Sequence, residues 1–238
     1  FDRTAGAVVA IQLANETGDT SLHRDIGVRR SVFDSTGTVA AASDDLAAIS
    51  VADFENVLVA NVHFKRTSTQ PTPSEMRGAR VNVRNGLVEY AYCEDIGNVG
   101  ATNECVYVSD RTGGGLGSLD GLSVTVRNSA ALSANRAFAV AKPNSTLSVD
   151  HSVVVTGSAE QILRIGGVSS SLSVTNSIFV QLSGTATLLH NPFSGPFTTR
   201  HNLYRWLGPR PFTPDATDKY PGAMTCDAKN GFAQVSTD

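Results

Sequence analysis

The chain has 238 residues, of which 41% are apolar and 17% charged, and a formal net charge of −3. Binding a phosphate backbone needs clustered Lys and Arg, so the charge balance argues against nucleic acid as a partner. No apolar run is long enough to make a membrane-spanning helix.

In chain order, "TAGAVVAIQLANE" comes first and reads as a partly amphipathic helix or as a pair of strands. No leader pattern precedes it, and we expect a piece of a longer secreted protein, placed outside the cell or on its surface. "GVRRSVF" then offers Arg30 as a corner between short apolar stretches. "SDDLAAISV" sets Asp44 and Asp45 before a strand, with Asp53 after it. Two carboxylates facing one groove are what glycoside hydrolysis requires, although a solvated turn uses the same residues.

"LVANVHF" supplies Asn61, and a cationic segment follows with His63, Lys65, Arg66, Arg77, Arg80 and Arg84. It reads as an insertion between two coils, and such loops often line grooves. Elimination from an acidic polysaccharide needs a base and a cation for the uronate carboxylate. Lys65, Arg77 and Arg80 are the catalytic candidates. Arg66 and Arg84, with Tyr90, Tyr107 and Asp110, are candidate substrate contacts. A plain solvated loop is the competing reading.

"VNVRNGLVE" offers Asn85, and Cys93 and Cys105 then bracket a Gly- and Asn-containing loop. A disulfide there would constrain the unfolded chain by ~3 kcal/mol. Two unrelated buried thiols are the other possibility, and Cys226 has no obvious partner. Glu94, Asp95, Glu104, Asp110 and Asp120 are too scattered to form a recognisable calcium loop. "SDRTGGGLGSLDG" lacks the Lys-Ser/Thr of a phosphate loop and reads as a flexible connection. No cofactor or metal site is read, and calcium enters only if the chain is a lyase.

From "VTVRNSAAL" onward the sequence repeats. "LSVDHSVVV", "LSVTNSIFV" and "FTTRHNLYR" carry the pattern on, so Asn128, His151, Asn176 and His201 recur at spacings of 23, 25 and 25 residues. A second track places Phe138, Leu163 and Leu188 at intervals of 25. Each unit reads as about three short strands with turns between them. Leu172, Val174, Ile178 and Val180 are the expected core of one unit. Repeats of this length without helices predict an all-β parallel solenoid of about seven to nine coils. Asn61, Asn85, Asn128, His151, Asn176 and His201 are expected as a stacked polar ladder at an inward corner, where every buried polar group needs a partner. Asp150, His151 and Ser152 contain triad residue types, but neighbours on a strand point to opposite faces. The solenoid is expected over residues 1–206, with insertions near 65–80 and 93–120. An irregular segment, 207–238, is expected to cover the last coil and protect its open edge.

"ISVADFENVLVANVHF", "STLSVDHSVVV" and "SSLSVTNSIFV" resemble the right-handed parallel β-helix superfamily, the pectate-lyase-like solenoids, over roughly residues 26–206. The resemblance implies an asparagine ladder in the tight turn between two sheets. It implies no single activity, because the superfamily holds lyases, hydrolases, tailspikes, adhesins and surface proteins. The segments that mark its pectin-type hydrolases and pectate lyases are absent. The sequence therefore predicts a non-catalytic surface solenoid for adhesion, assembly or glycan contact, able to self-associate. The alternative is a lyase or hydrolase acting on an acidic polysaccharide.

Overall fold

The computed structural model describes residues 2–3, 9–14, 25–35, 46–66, 76–94, 104–109, 119, 121–132, 136–157, 161–182, 187–208, 212–220, 224–226 and 233–235. These residues contain no helix. The strands are β1 (Asp2–Arg3), β2 (Val9–Ala14), β3 (Ile26–Ser35), β4 (Leu46–Arg66), β5 (Met76–Glu94), β6 (Glu104–Val108), β7 (Ser123–Arg127), β8 (Ala130–Leu132) and β9 (Arg136–Val140). They continue as β10 (Thr146–Asp150), β11 (Val153–Thr156), β12 (Leu163–Ile165), β13 (Ser171–Thr175), β14 (Ile178–Gln181), β15 (Leu189–His190), β16 (Phe197–Arg200) and β17 (Leu203–Arg205). A separate antiparallel pair joins β18 (Met224–Cys226) to β19 (Ala233–Val235).

The first seventeen strands pair in parallel as one continuous sheet wound into a solenoid. Three faces result. Face I stacks the 26–29, 56–60 and 85–89 stretches above β7, β10, β13 and β16. Face II stacks the later parts of β3, β4 and β5 above β8, β11, β14 and β17. Face III runs from β2 through the first parts of β4 and β5 to β6, β9, β12 and β15.

Period-2 alternation fills the interior. Val59, Val88, Val126, Val149 and Val174 line face I, and Ile49, Ala79, Val106, Phe138, Leu163 and Leu189 line face III, each almost wholly buried. The second track therefore runs through Leu189, one residue beyond the Leu188 expected from strict spacing. Phe64, Cys93, Ala131, Val154, Phe179 and Tyr204 line face II. Cys93 is disulfide-bonded to Cys105, with Cα atoms 5.8 Å apart.

The regular solenoid amounts to about four turns, those in which each face is a separate short strand. The expected seven to nine is too high for this regular part, because it counted the early, insertion-bearing stretches as coils of the same kind. There β4 and β5 instead run unbroken round the corners. Met76–Val83 likewise belongs to strand and not to an inserted loop, since it pairs residue by residue with β4 from Leu46 to Phe54.

The corner between faces I and II differs from the sequence reading in an instructive way. Arg30, Asn61, Tyr90, Asn128, His151, Asn176 and His201 all have left-handed backbone, with φ between 46° and 56°. Their side chains are exposed and do not stack inside. Asn85 is not a member of this column; register places it beside Asn56 and Ser123, and Tyr90 takes the corner. A single left-handed residue turns the chain, so the next residue points inward. Ser129, Ser152, Ser177 and Asn202 fill those inward sites and are buried. Parity then flips: Phe179 is buried, while Ile178 is exposed and Val180 half-buried, against the expected core.

The inward residues form the true ladder. Ala91 N–H donates to Ser129 Oγ, Ser129 N–H to Ser152 Oγ, and Ser152 N–H to Ser177 Oγ. Ser177 N–H donates to Asn202 Oδ1 at 2.9 Å, and Asn202 N–H to Asp218 Oδ1 at 2.8 Å. Each serine hydroxyl also donates to the carbonyl two residues before it. Corner N–H groups that would otherwise be buried unpaired are thereby satisfied by the next coil. The same grammar recurs between faces III and I. Asn144, Ser169 and Ser194 are left-handed there. Ser145 and Ser170 follow as buried hydroxyls and Gly195 as the third, where a Cβ would meet the Ser170 carbonyl at 2.3 Å.

The segment 212–220 closes the described end of the solenoid. Lys219 pairs in parallel with Leu203, Asp218 accepts from Asn202 and from Thr199 Oγ1, and Tyr220 stacks 4.8 Å from Tyr204. These residues act as a partial extra rung on face II.

Candidate functional site

The cationic residues singled out from sequence separate onto different faces. Lys65 lies on face II and pairs with Asp34 at 2.9 Å, both groups being partly exposed. Only the backbone of Arg66 is described, opposite Ser35. Arg84 is exposed just ahead of face I, and Tyr90 is exposed at the I/II corner. Asp110 lies outside the described residues, as do Asp44, Asp45, Asp95, Asp120 and the glycine-rich connection. Asp53 sits in a left-handed bulge of β4 and is buried.

Arg77, Arg80 and Tyr107 do come together, on face III beside the carboxylate of Glu104. Arg77 Nε donates to Glu104 Oε2 at 2.9 Å, and Arg136 Nη1 to Glu104 Oε1 at 3.3 Å. The Arg77 guanidinium lies 4.3 Å from the Tyr107 ring centre, and that of Arg80 6.0 Å. Register explains the grouping, because Arg77, Glu104 and Arg136 occupy one column and Arg80, Tyr107, Ala139, Arg164 and His190 another. Burial, then the guanidiniums of Arg164 and Arg136, holds His190 below its ordinary pKa. Arg77 and Arg80 are only 3% and 2% exposed, and Glu104 is wholly buried. An ion pair this deep needs both partners in place.

Of the acids considered for calcium, the two among the described residues are engaged elsewhere: Glu94 faces His63 at 3.1 Å, and Glu104 is held by two arginines. No cluster of three metal-binding side chains occurs among the described residues. Asp150 Oδ2 contacts His151 Nδ1 at 2.7 Å, but Ser152 is buried and donates to the Asp150 carbonyl, so the three form no triad.

The sequence reading missed a groove on the upper part of face I. It has a volume of about 320 Å³ and is bordered by Asp25, Arg29, Asn56 and Asn85 over a floor of Leu58 and Leu87. The amides run from coil to coil: Asn85 Nδ2 donates to Asn56 Oδ1, and Asn56 Nδ2 to Asp25 Oδ1, each at 3.3 Å. An amide ladder therefore exists, but it stands outside the barrel and starts from Asp25. The signal was available in the 31- and 29-residue spacings of Asp25, Asn56 and Asn85.

Below the groove the outer face is a field of small hydroxyls. Ser123 and Thr125 pair with Thr146 and Ser148, which pair with Ser171 and Ser173. Its charged margin is largely self-satisfied. Arg127 forks onto Glu89 at 2.9 and 2.8 Å, and Asp150 is bonded by Thr175, Asn176 and His151.

No family model, no curated protein and no solved structure matches the chain.

Proposed function

We propose that the chain is the solenoid part of an extracellular or cell-surface protein that contacts a glycan, or a neighbouring surface component, without cleaving it. One observation carries this reading. The residues best suited by type to elimination chemistry, Arg77 and Arg80, are buried within the fold, and Arg77 is bound to Glu104. A general base must come within hydrogen-bond reach of the substrate proton. Lys65, the third candidate, is on another face and paired with Asp34. The outer surface of face I offers short hydroxyl and amide groups with little uncompensated charge, which suits contact better than catalysis.

A pectate-lyase-like elimination on an acidic polysaccharide is the second reading. The gathering of Arg77, Arg80 and Tyr107 beside one carboxylate favours it. The two readings part on incubation with a panel of neutral and acidic polysaccharides. Retention on one of them, with neither unsaturated product nor new reducing ends, supports contact alone. Cleavage of any substrate, abolished by Arg80→Ala or Lys65→Ala in a folded variant, overturns it.

A further inference from the structure

We infer that the groove at the top of face I is a binding site for a neutral pyranose unit of a glycan; the inference rests on the glycan-contact reading above. The first ground is hydrogen-bond accounting. A carboxylate offers two acceptor oxygens and a primary amide two donors and an acceptor. Among the described residues, Asp25 uses Oδ1 for Asn56 and keeps Oδ2 for another donor. Asn85 gives an N–H to Asn56 and keeps its carbonyl oxygen. Arg29 has no ion pair among the described residues. The groove therefore offers acceptors at Asp25 and Asn85 and donors at Arg29, and the hydroxyls of a sugar ring can use both.

The second ground is shape and polarity. The floor of Leu58 and Leu87 gives an apolar surface for the C–H face of a ring. Gly27 keeps the middle open: a Cβ there would meet only Arg29 Nε at 3.6 Å and the Leu58 carbonyl at 3.7 Å. A volume of about 320 Å³ falls at the small end of the range for ligand sites.

The third ground is charge. Asp25 and Arg29 are the two charged groups among the groove's lining residues and are opposite in sign, so the lining itself carries no net charge to favour a uronate. The groove also opens onto the hydroxyl field, since Asn85 is in register with Ser123 and Leu87 with Thr125. A longer chain can continue along the solenoid axis over side chains that donate and accept.

Calorimetric titration of the full chain with cellotetraose, xylotetraose and mannotetraose, and with a galacturonate tetramer, tests the site. At least one neutral tetramer binds, and the uronate binds more weakly. Arg29→Ala, which removes an exposed side chain, weakens the neutral ligand by about tenfold, the size of one to two lost hydrogen bonds. Gly27→Tyr fills the groove and removes binding while leaving the thermal midpoint in place. Neutral binding that survives both substitutions, or a preference for the uronate, overturns the inference and leaves glycan contact standing. Failure to bind any glycan, in solution or on the polysaccharide panel, overturns both.

Discussion

Ser177 donates its hydroxyl to the Thr175 carbonyl at 2.7 Å and accepts the Ser152 N–H at 3.1 Å, all in a buried corner. Replacing it with alanine leaves the Ser152 N–H buried and unpaired, at about 1–3 kcal/mol, while the Thr175 carbonyl still accepts the His151 N–H at 3.2 Å. Ser177→Ala should therefore lower stability in denaturant unfolding by about 1–2 kcal/mol, given partial relaxation. Asn176→Ala, at the exposed residue beside it, should cost less. Asp150 sets a pH dependence at the same scale. Burial alone would raise its carboxyl, but hydrogen bonds from Thr175, Asn176 and His151 outweigh that and bring it to about 2. A carboxyl depressed in the folded state stabilises fully above its unfolded value near 3.8 and loses that contribution as pH falls through about 2. The side chain is one-third exposed, so screening holds the effect under about 1 kcal/mol. Wild type should lose its stability advantage over Asp150→Asn across that acid window and keep it at neutral pH.

The strands show what a repeat in sequence does and does not reveal. Spacings of 23–25 residues located β7, β10, β13 and β16 correctly, because period-2 apolar residues such as Leu172 and Val174 fill one interior. The corner was misplaced by one residue. Asn and His drew attention as large polar residues, whereas the residue that follows, Ser129, Ser152, Ser177 or Asn202, is the one the interior needs. The dipeptides at 128–129, 151–152 and 176–177 carry this rule legibly: a residue tolerant of left-handed backbone, then a small hydroxyl. The upstream coils hid it, since Val62 and Ala91 stand where the serines would. The site was less legible still. Arg77 and Arg80 sit at strand positions that resemble an exposed basic loop in sequence, and only register brings Glu104 to Arg77. The face III cations are therefore predicted to act on stability. Arg77→Ala should cost about 3–5 kcal/mol in denaturant unfolding by leaving Glu104 short of a partner. Lys65→Ala, at a partly exposed pair, should cost under about 1 kcal/mol. A stable Arg77→Ala protein that has lost glycan contact would contradict this assignment.

At the scale of the whole molecule, a solenoid is a column of near-identical rungs whose described lower end is closed by something unlike a coil. Segment 212–220 supplies Asp218 to the ladder, Lys219 to the sheet edge and Tyr220 to the ring stack of Phe179 and Tyr204. The Tyr204 hydroxyl is pushed well above its ordinary pKa by burial, then by Asp218 and Tyr220, a sign of how closed that end is. Ending the chain after Gly208 should leave β17 without its Lys219 pairing, so the truncated protein should self-associate more strongly in sedimentation than the full chain.

Amide hydrogen exchange with and without a bound neutral oligosaccharide tests most directly the central claim, that face I makes the contact and the face III cations hold the fold. Ligand protects the backbone it orders. The account predicts new protection at 25–29, 56–60 and 85–89, with 77–80 and 104–108 unchanged. Protection confined to 77–80 and 104–108 would contradict it.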